Sequence, residues 1–70
     1  GEYVQALRVN AARELFELGS LPVSAVCLRV GYEDVGFFRR IFRRHTGMSP
    51  SEYRSQYGRL AIPRGELSRG

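Results

Sequence analysis

Lysine is absent from this chain of 70 residues, and all eleven of its basic residues are arginine. The chain also has no tryptophan, a single cysteine and no apolar run near the length of a membrane span. One cysteine cannot build a disulfide framework or a zinc site within one chain, which fits a reducing, cytoplasmic setting. No signal-peptide pattern stands at the start, and the sequence opens inside a helical pattern. We therefore expect a fragment of a longer protein.

The residue patterns that catalysis requires are also missing. The sequence shows no nucleophile beside a base, no pair of carboxylates, no glycine loop for phosphate and no metal-ligand spacing. The one histidine, His45, has no candidate partner for a catalytic or ligand role. The sequence therefore predicts no enzyme, no cofactor and no metal site.

The charge balance favours a polyanionic partner. The net charge is +4 and the sequence pI is about 10.0. Arginine presents a planar fork of donors that forms paired hydrogen bonds with phosphate and with guanine edges. A source genome rich in arginine codons would explain the missing lysine, but it would not explain the cluster from Arg39 to Arg44. Seventy residues allow one small domain with a modest core.

Apolar spacing predicts an all-α fold, a small bundle of about four helices with a homeodomain-like helix-turn-helix. The predicted helices cover residues 2–18, 23–30, 34–46 and 50–57, within a domain of residues 1–58. Residues 59–70 contain Pro63, Gly65 and Gly70 with few apolar residues, which predicts a flexible tail.

Local signals mark where these helices begin and end. Asp34 suits the N-cap of the third helix, and Gly47 suits its end. Gly31 suits the turn before that helix, where a positive φ is often needed. Ser49 and Glu52 are spaced as a capping box for the fourth helix.

Each helix has an expected core face. Cys27 is interpreted as a small buried residue and not as a reactive thiol. Phe37 lies toward the edge of the apolar stripe of the third helix. The residues expected to face the core are Val4, Leu7, Ala11, Leu15 and Leu18 on the first helix, Val23, Val26, Cys27 and Val30 on the second, Phe38, Ile41, Phe42 and His45 on the third, and Tyr53 and Tyr57 on the fourth.

The other side of the third helix is basic. At 100° per residue, Gly36, Arg39, Arg40 and Arg43 fall opposite the apolar stripe, and Arg44 lies near their edge. Because the apolar stripe must be buried, these arginines point outward together, as in the recognition helix of a helix-turn-helix. A solvated basic face without a ligand is the alternative.

A series of residues between about positions 3 and 57 follows one known pattern. They are Arg8, Ala11 or Ala12, Val26-Cys27, Val30-Gly31-Tyr32, Asp34, Phe38, Arg40, Phe42, Gly47-Met48-Ser49-Pro50 and Tyr53-Arg54. On these residues the chain resembles the C-terminal part of an AraC-type DNA-binding domain. Cys27 stands where the family usually has alanine, and Gly36 stands where a small polar residue is common. Gly36 removes one side-chain contact and weakens the helix by about 1 kcal/mol relative to alanine.

The resemblance implies a known architecture. AraC-type domains have two helix-turn-helix units joined by a long helix, and they bind two adjacent major grooves on one face of duplex DNA. Residues 2–18 are then similar to the connecting helix, and residues 23–30 and 34–46 to the second unit. The first unit and any sensor domain are missing here. The sequence from Gly31 to Arg40 also resembles members whose sensor domain is glutamine-amidotransferase-like.

The predicted DNA-binding residues have different roles. Arg39 and Arg40 are candidates for base edges or phosphates, whereas Arg43 and Arg44 lie further along the helix and suit phosphates. Val35 and Gly36 lie near the helix N-terminus, where recognition helices usually meet bases. The two remaining candidates, at helix starts that favour a phosphate, are Ser24 and Ser51.

Sequence-specific binding of double-stranded DNA within a bacterial transcription regulator, near the nucleoid, is the leading hypothesis. The alternative is a protein-interaction module that contacts RNA polymerase or a partner subunit. A basic helix on a membrane fits poorly, since capped, core-forming segments flank the helix on both sides.

Overall fold

The computed structural model describes residues 1–19 and 21–58 of the chain. They form four helices, α1 (Glu2–Leu18), α2 (Val23–Arg29), α3 (Val35–Thr46) and α4 (Pro50–Tyr57), and this part of the chain contains no strand. The predicted all-α bundle is confirmed, and the helix bounds lie within one residue of those expected from the sequence. The predicted tail, residues 59–70, lies outside the described residues.

Aromatic rings join three of the helices in the core. Phe16 of α1, Phe42 of α3 and Tyr53 of α4 are all nearly or fully buried. The Phe42 ring lies edge-on to both others, with ring centroids 5.7 Å from Phe16 and 5.5 Å from Tyr53. Such pairs add about 0.5–1.5 kcal/mol each beyond the area they bury. Phe42 is therefore the residue through which α1, α3 and α4 are held together.

The face of α1 that packs against this core is not the one expected. Val9, Ala12 and Phe16 are buried, whereas Val4, Leu7 and Leu18 are 44%, 51% and 66% exposed. Ala11 is exposed as well, and Leu15 alone of the expected stripe packs against the core. Both sets recur at three- and four-residue steps, about 135° apart around the helix. The bulkier Phe16 decides between them, because it fills the space between Phe42 and Tyr53.

Two further core expectations need correction. His45 was expected on the apolar side of α3, but it is exposed, and the buried residues of this helix are Phe38, Ile41 and Phe42. Tyr57 is 53% exposed, and it packs only through its ring, 4.7 Å from that of Tyr53. The last turns of α3 and α4 therefore contribute less to the core than their spacing suggests.

A tight turn connects α2 to α3. Gly31 has φ of 104°, which confirms the positive φ expected there. The backbone N–H of Gly31 donates to the Leu28 carbonyl at 3.1 Å, and that of Tyr32 donates to the Cys27 carbonyl at 3.0 Å. This pair of bonds is the Schellman pattern that ends many helices. It reverses the chain so that α3 starts close to α2.

Cys27 is part of this turn. Its side chain is fully buried, as expected, and its thiol donates a hydrogen bond to the Tyr32 carbonyl at 3.3 Å. Burial, and then the negative charge of Asp34, raise the pKa of the Cys27 thiol, so the neutral thiol is favoured. Cys27 therefore acts as a small packing residue with one structural hydrogen bond.

Arg8 ties α1 to the same turn. Its guanidinium donates to the Gly31 carbonyl at 3.2 Å and lies 5.1 Å from the centre of the Tyr32 ring. The guanidinium carbon would be 3.1 Å from a Cβ added at Gly31. Any side chain at Gly31 would thus be strained by its φ and would also displace Arg8. The long helix therefore helps to fix where α3 begins.

The ends of α3 and α4 are capped as the sequence predicts. The Asp34 carboxylate accepts from the Phe37 backbone N–H at 3.2 Å, and Gly47 ends α3 in the left-handed conformation, with φ of 81°. Both reciprocal bonds of the capping box between Ser49 and Glu52 are present. These bonds satisfy backbone groups that the helix itself cannot pair.

Loss of the Asp34 cap should destabilise the domain. Asp34→Ala is expected to lower the free energy of unfolding by about 1 kcal/mol, because the first N–H groups of α3 lose their acceptor. Urea denaturation followed by circular dichroism measures this change. Asp34→Asn is the matched control, since its amide oxygen can still accept the bond. An equal loss in both variants would contradict a capping role.

Candidate nucleic-acid interface

One side of α3 is exposed and strongly basic. Arg39, Arg40, Arg43 and Arg44 are all exposed, and residues 35–46 contain no acidic side chain. The opposite side of the helix carries Phe38, Ile41 and Phe42, none more than 5% exposed. Burial of this apolar stripe fixes the rotation of α3 in the bundle. Packing of the apolar stripe against the core therefore keeps the arginine side of α3 facing solvent.

Little negative charge offsets these arginines. Within residues 1–19 and 21–58, the one carboxylate within salt-bridge distance of the four belongs to Glu2, which lies 2.7 Å from the guanidinium of Arg44. Both partners are largely exposed, at 64% and 69%, so the pair is worth about 0–1 kcal/mol. The guanidinium of Arg40 instead lies 5.9 Å from the centre of the Phe37 ring. Three of the four arginines thus keep their charge free of an ion pair in the described part of the chain.

The start of α3 combines a half-buried residue with an open one. Val35 packs partly against the core, and Gly36 is exposed. A Cβ added at Gly36 would lie 3.2 Å from the capping carboxylate of Asp34. Gly36 is therefore exposed beside the Asp34 carboxylate, while Val35 offers only part of its side chain.

Two serines lie on other helices. Ser24 on α2 and Ser51 on α4 are both exposed. In the described residues, neither hydroxyl contacts an arginine of α3. Ser51 lies in the capped first turn of α4, where hydrogen bonds from the Ser49 backbone and side chain, and then the charge of Arg43, lower the pKa of the Glu52 carboxyl. Glu52 therefore stays ionised at neutral pH and adds negative charge beside Ser51.

Phe37 is an exposed residue of α3 that is not among the predicted DNA-binding residues. Phe37 is 39% exposed although it lies next to Phe38, which is fully buried. Its ring lies 5.8 Å from that of Tyr32, edge-on, so one side is packed and the other faces solvent. Its edge position on the helical wheel was the available signal in the sequence.

The described residues hold no other site with obvious chemistry. No group of three or more His, Cys, Asp or Glu side chains in residues 1–19 and 21–58 is placed to hold a metal ion. No helix in the same residues is long and apolar enough to cross a membrane.

Comparison with known proteins agrees with this architecture. A family profile described as a helix-turn-helix domain matches residues 1–56, most of the chain. The chain belongs to the AraC-type helix-turn-helix family. In the structure, α1 packs against α2, α3 and α4. No solved structure matches the chain at a significant level.

Curated relatives are transcription regulators. The chain is 38% identical over 60 residues to the HTH-type transcriptional activator RhaR of Cronobacter sakazakii, covering 86% of this chain and 21% of that protein. It is 41% identical over 56 residues to an uncharacterized HTH-type transcriptional regulator, YijO, of Escherichia coli, covering 80% and 20%. The chain thus spans about a fifth of the length of these relatives. Neither name bears on a glutamine-amidotransferase-like sensor domain, which stays a prediction.

Proposed function

We propose that this AraC-type domain binds duplex DNA sequence-specifically, with α3 in the major groove, as part of a bacterial transcription regulator. The observation that carries the proposal is the exposed side of α3, where four arginines meet no acidic residue of their own helix. A major groove is wide enough to admit one α-helix, and phosphates line both its edges. The names of the relatives, an activator and a regulator of transcription, support the same function.

The proposed contacts follow from position along α3. Arg39 and Arg40 lie one turn from its start and reach base edges or nearby phosphates. Arg43 and Arg44 lie a further turn along and reach phosphates. Gly36 lets the backbone approach the bases, and Val35 contributes what remains exposed of its side chain. The proposed phosphate contacts on the other helices are the hydroxyls of Ser24 and Ser51.

The parent of this domain is proposed to be a longer regulator, comparable to the relatives of which the chain spans a fifth. The resemblance then implies a first helix-turn-helix unit and a sensor domain in that parent. A place at the bacterial nucleoid follows from the proposed DNA binding, and RNA polymerase is proposed as a separate partner of that parent.

A protein-interaction module remains the second candidate. The observation that favours it is the apolar side of α1, where Leu7 and Leu18 are 51% and 66% exposed. Scattered exposed leucines are common, but these two share one side of a helix with Val4 and Ala11. A protein partner on α1 would leave α3 free to bind DNA. The two candidate functions therefore differ in whether the arginines of α3 contact DNA or a protein.

Selection from a pool of randomised DNA duplexes tests the proposed function. The purified chain is mixed with the pool, and the retained duplexes are sequenced over several rounds. A single recognition helix is expected to enrich a motif of about three to six base pairs. Retention without any enriched motif would contradict sequence-specific binding, and no retention at low salt would contradict DNA binding as such.

The Glu2–Arg44 pair gives a sharper expectation. Glu2→Gln is expected to strengthen DNA binding about two- to five-fold at low salt, because it frees Arg44 and removes a negative charge beside the phosphates. The free energy of unfolding should fall by at most about 1 kcal/mol, since the pair is exposed and Glu2 lies in the first turn of α1. Fluorescence anisotropy with a labelled duplex measures the affinity.

Glu14→Gln is the matched control for this variant. Glu14 lies on the same helix and is exposed, but it lines the side of α1 near α2 together with Arg8 and Arg29. Glu14→Gln changes the net charge by the same amount as Glu2→Gln, but at a position away from α3. Equal gains from both variants would mean that only the total charge matters, and that Arg44 has no particular place at the DNA.

A further inference from the structure

Phe37 is a partly exposed apolar residue on the otherwise basic surface of α3. A phenylalanine that is 39% exposed loses part of the stabilisation that burial would give, yet it lies in the first turn of the helix whose other exposed side chains are arginines. Its position at the edge of the apolar stripe was expected from the sequence, and Phe38, Ile41 and Phe42 fill the core at 0–5% exposure. Its open side is therefore available to a ligand.

Its ring is also fixed in place. The edge of Tyr32 packs against it at 5.8 Å, and Tyr32 itself is only 7% exposed. The guanidinium of Arg40 lies 5.9 Å from the centre of the same ring. The structure thus places an apolar ring and a cation side by side on the exposed side of α3, where both can meet one partner.

The chemistry of the major groove matches this pair. Among the groups that base pairs present there, the apolar one is the 5-methyl group of thymine. Guanine presents two acceptors, O6 and N7, in the geometry that arginine recognises with two hydrogen bonds. Successive bases along one strand are about 3.4 Å apart, so a ring and a guanidinium separated by 5.9 Å span one or two base steps.

We infer that Phe37 and Arg40 together recognise a thymine and a guanine within two base steps of it. The Phe37 ring contacts the thymine methyl group, and the Arg40 guanidinium donates to O6 and N7 of the guanine. This inference rests on the proposed function, since it assumes that α3 lies in the major groove, and it adds the identity of two bases and a specificity-determining residue.

The test removes one methyl group from the DNA. The motif enriched from random duplexes is synthesised with deoxyuridine in place of each thymine in turn, which deletes only the 5-methyl group. One such replacement is expected to weaken binding by wild type about four-fold, or about 0.8 kcal/mol, the value of one buried methyl group. The same replacement should leave the affinity of Phe37→Ala unchanged within about 1.5-fold.

The guanine is tested in the same way. Replacing it with 7-deazaguanine removes the N7 acceptor, and this is expected to weaken binding by wild type but not by Arg40→Ala. Phe37→Leu is the matched control, because its apolar side chain keeps a contact with the methyl group and should keep part of the sensitivity to deoxyuridine. Circular dichroism of each variant verifies that α3 remains folded.

The outcomes separate the two proposals. An enriched motif without any position where deoxyuridine matters, or with equal sensitivity in wild type and Phe37→Ala, overturns the role of Phe37 and leaves the proposed DNA binding intact. The absence of an enriched motif overturns the proposed function and this inference with it. A motif that Phe37→Ala enriches unchanged would assign Phe37 to packing against Tyr32 alone.

Discussion

Phe42→Ala should lower the free energy of unfolding by about 3–5 kcal/mol, the largest effect expected of any single substitution in this domain. Phe42 is fully buried, and its ring contacts those of Phe16, Phe38 and Tyr53. Domains have about 0.05–0.15 kcal/mol of stability per residue, so a chain of this size has little more than the substitution removes. The variant is therefore expected to be largely unfolded at 25 °C, as measured by helical circular dichroism.

Phe37→Ala is the matched control for this experiment. It makes the same chemical change on the same helix, but at a ring that is 39% exposed and contacts Tyr32 on one side. Its expected cost is below about 1.5 kcal/mol, since Phe37 keeps 39% of its surface in water whereas Phe42 keeps none. Similar losses at both positions would contradict the burial that distinguishes the two sides of α3.

Arg39→Ala/Arg40→Ala should produce the largest functional effect. Each arginine is exposed, and each proposed contact with a base edge or phosphate contributes about 1–2 kcal/mol. Together the two substitutions are expected to weaken binding to the enriched motif by about 2–4 kcal/mol, or about 30- to 700-fold. The free energy of unfolding should change by less than about 1 kcal/mol, because neither side chain is part of the core. Anisotropy titration measures the affinity.

Two further variants test whether the arginines of α3 act through their charge or through hydrogen bonds with bases. Arg29→Ala removes an exposed arginine of α2 that has no proposed DNA contact, and it should weaken binding less than three-fold through net charge alone. Arg39→Lys/Arg40→Lys keeps both charges but loses the rigid planar fork that matches the two acceptors of guanine. It should retain affinity for random duplexes and lose preference for the motif. If the double alanine variant bound as tightly as wild type, the arginines of α3 would have to serve another partner.

Local chemistry explains which parts of the fold could be predicted from the sequence. The cap at Asp34, the positive φ at Gly31 and the capping box at Ser49 each depend on residues within four positions along the chain. The basic side of α3 was predictable for the same reason, because its apolar stripe has only one possible orientation toward a core. The start, the end and the basic side of α3 could therefore be predicted from short-range signals, although packing against the core fixes the rotation of the helix.

Long-range packing decided what could not be predicted. Two apolar faces of α1 have nearly the same spacing, and the choice between them depends on Phe42 and Tyr53, more than 25 positions further along. The hydrogen bond from Arg8 to Gly31 and the ion pair between Arg44 and Glu2 join residues 23 and 42 positions apart. The exposure of Phe37 depends on Tyr32 covering only one side of its ring. None of these partners is marked by a local motif.

A salt titration of wild-type binding to random duplex DNA tests the central claim most directly. If the exposed side of α3 lies against phosphates, the logarithm of the association constant should fall linearly with the logarithm of salt concentration. Four phosphate contacts correspond to a slope of about −3 to −4, with a dissociation constant of about 10⁻⁴–10⁻⁶ M near physiological salt. No binding at about 50 mM salt, or binding with a flat salt dependence, would contradict a nucleic-acid interface on α3.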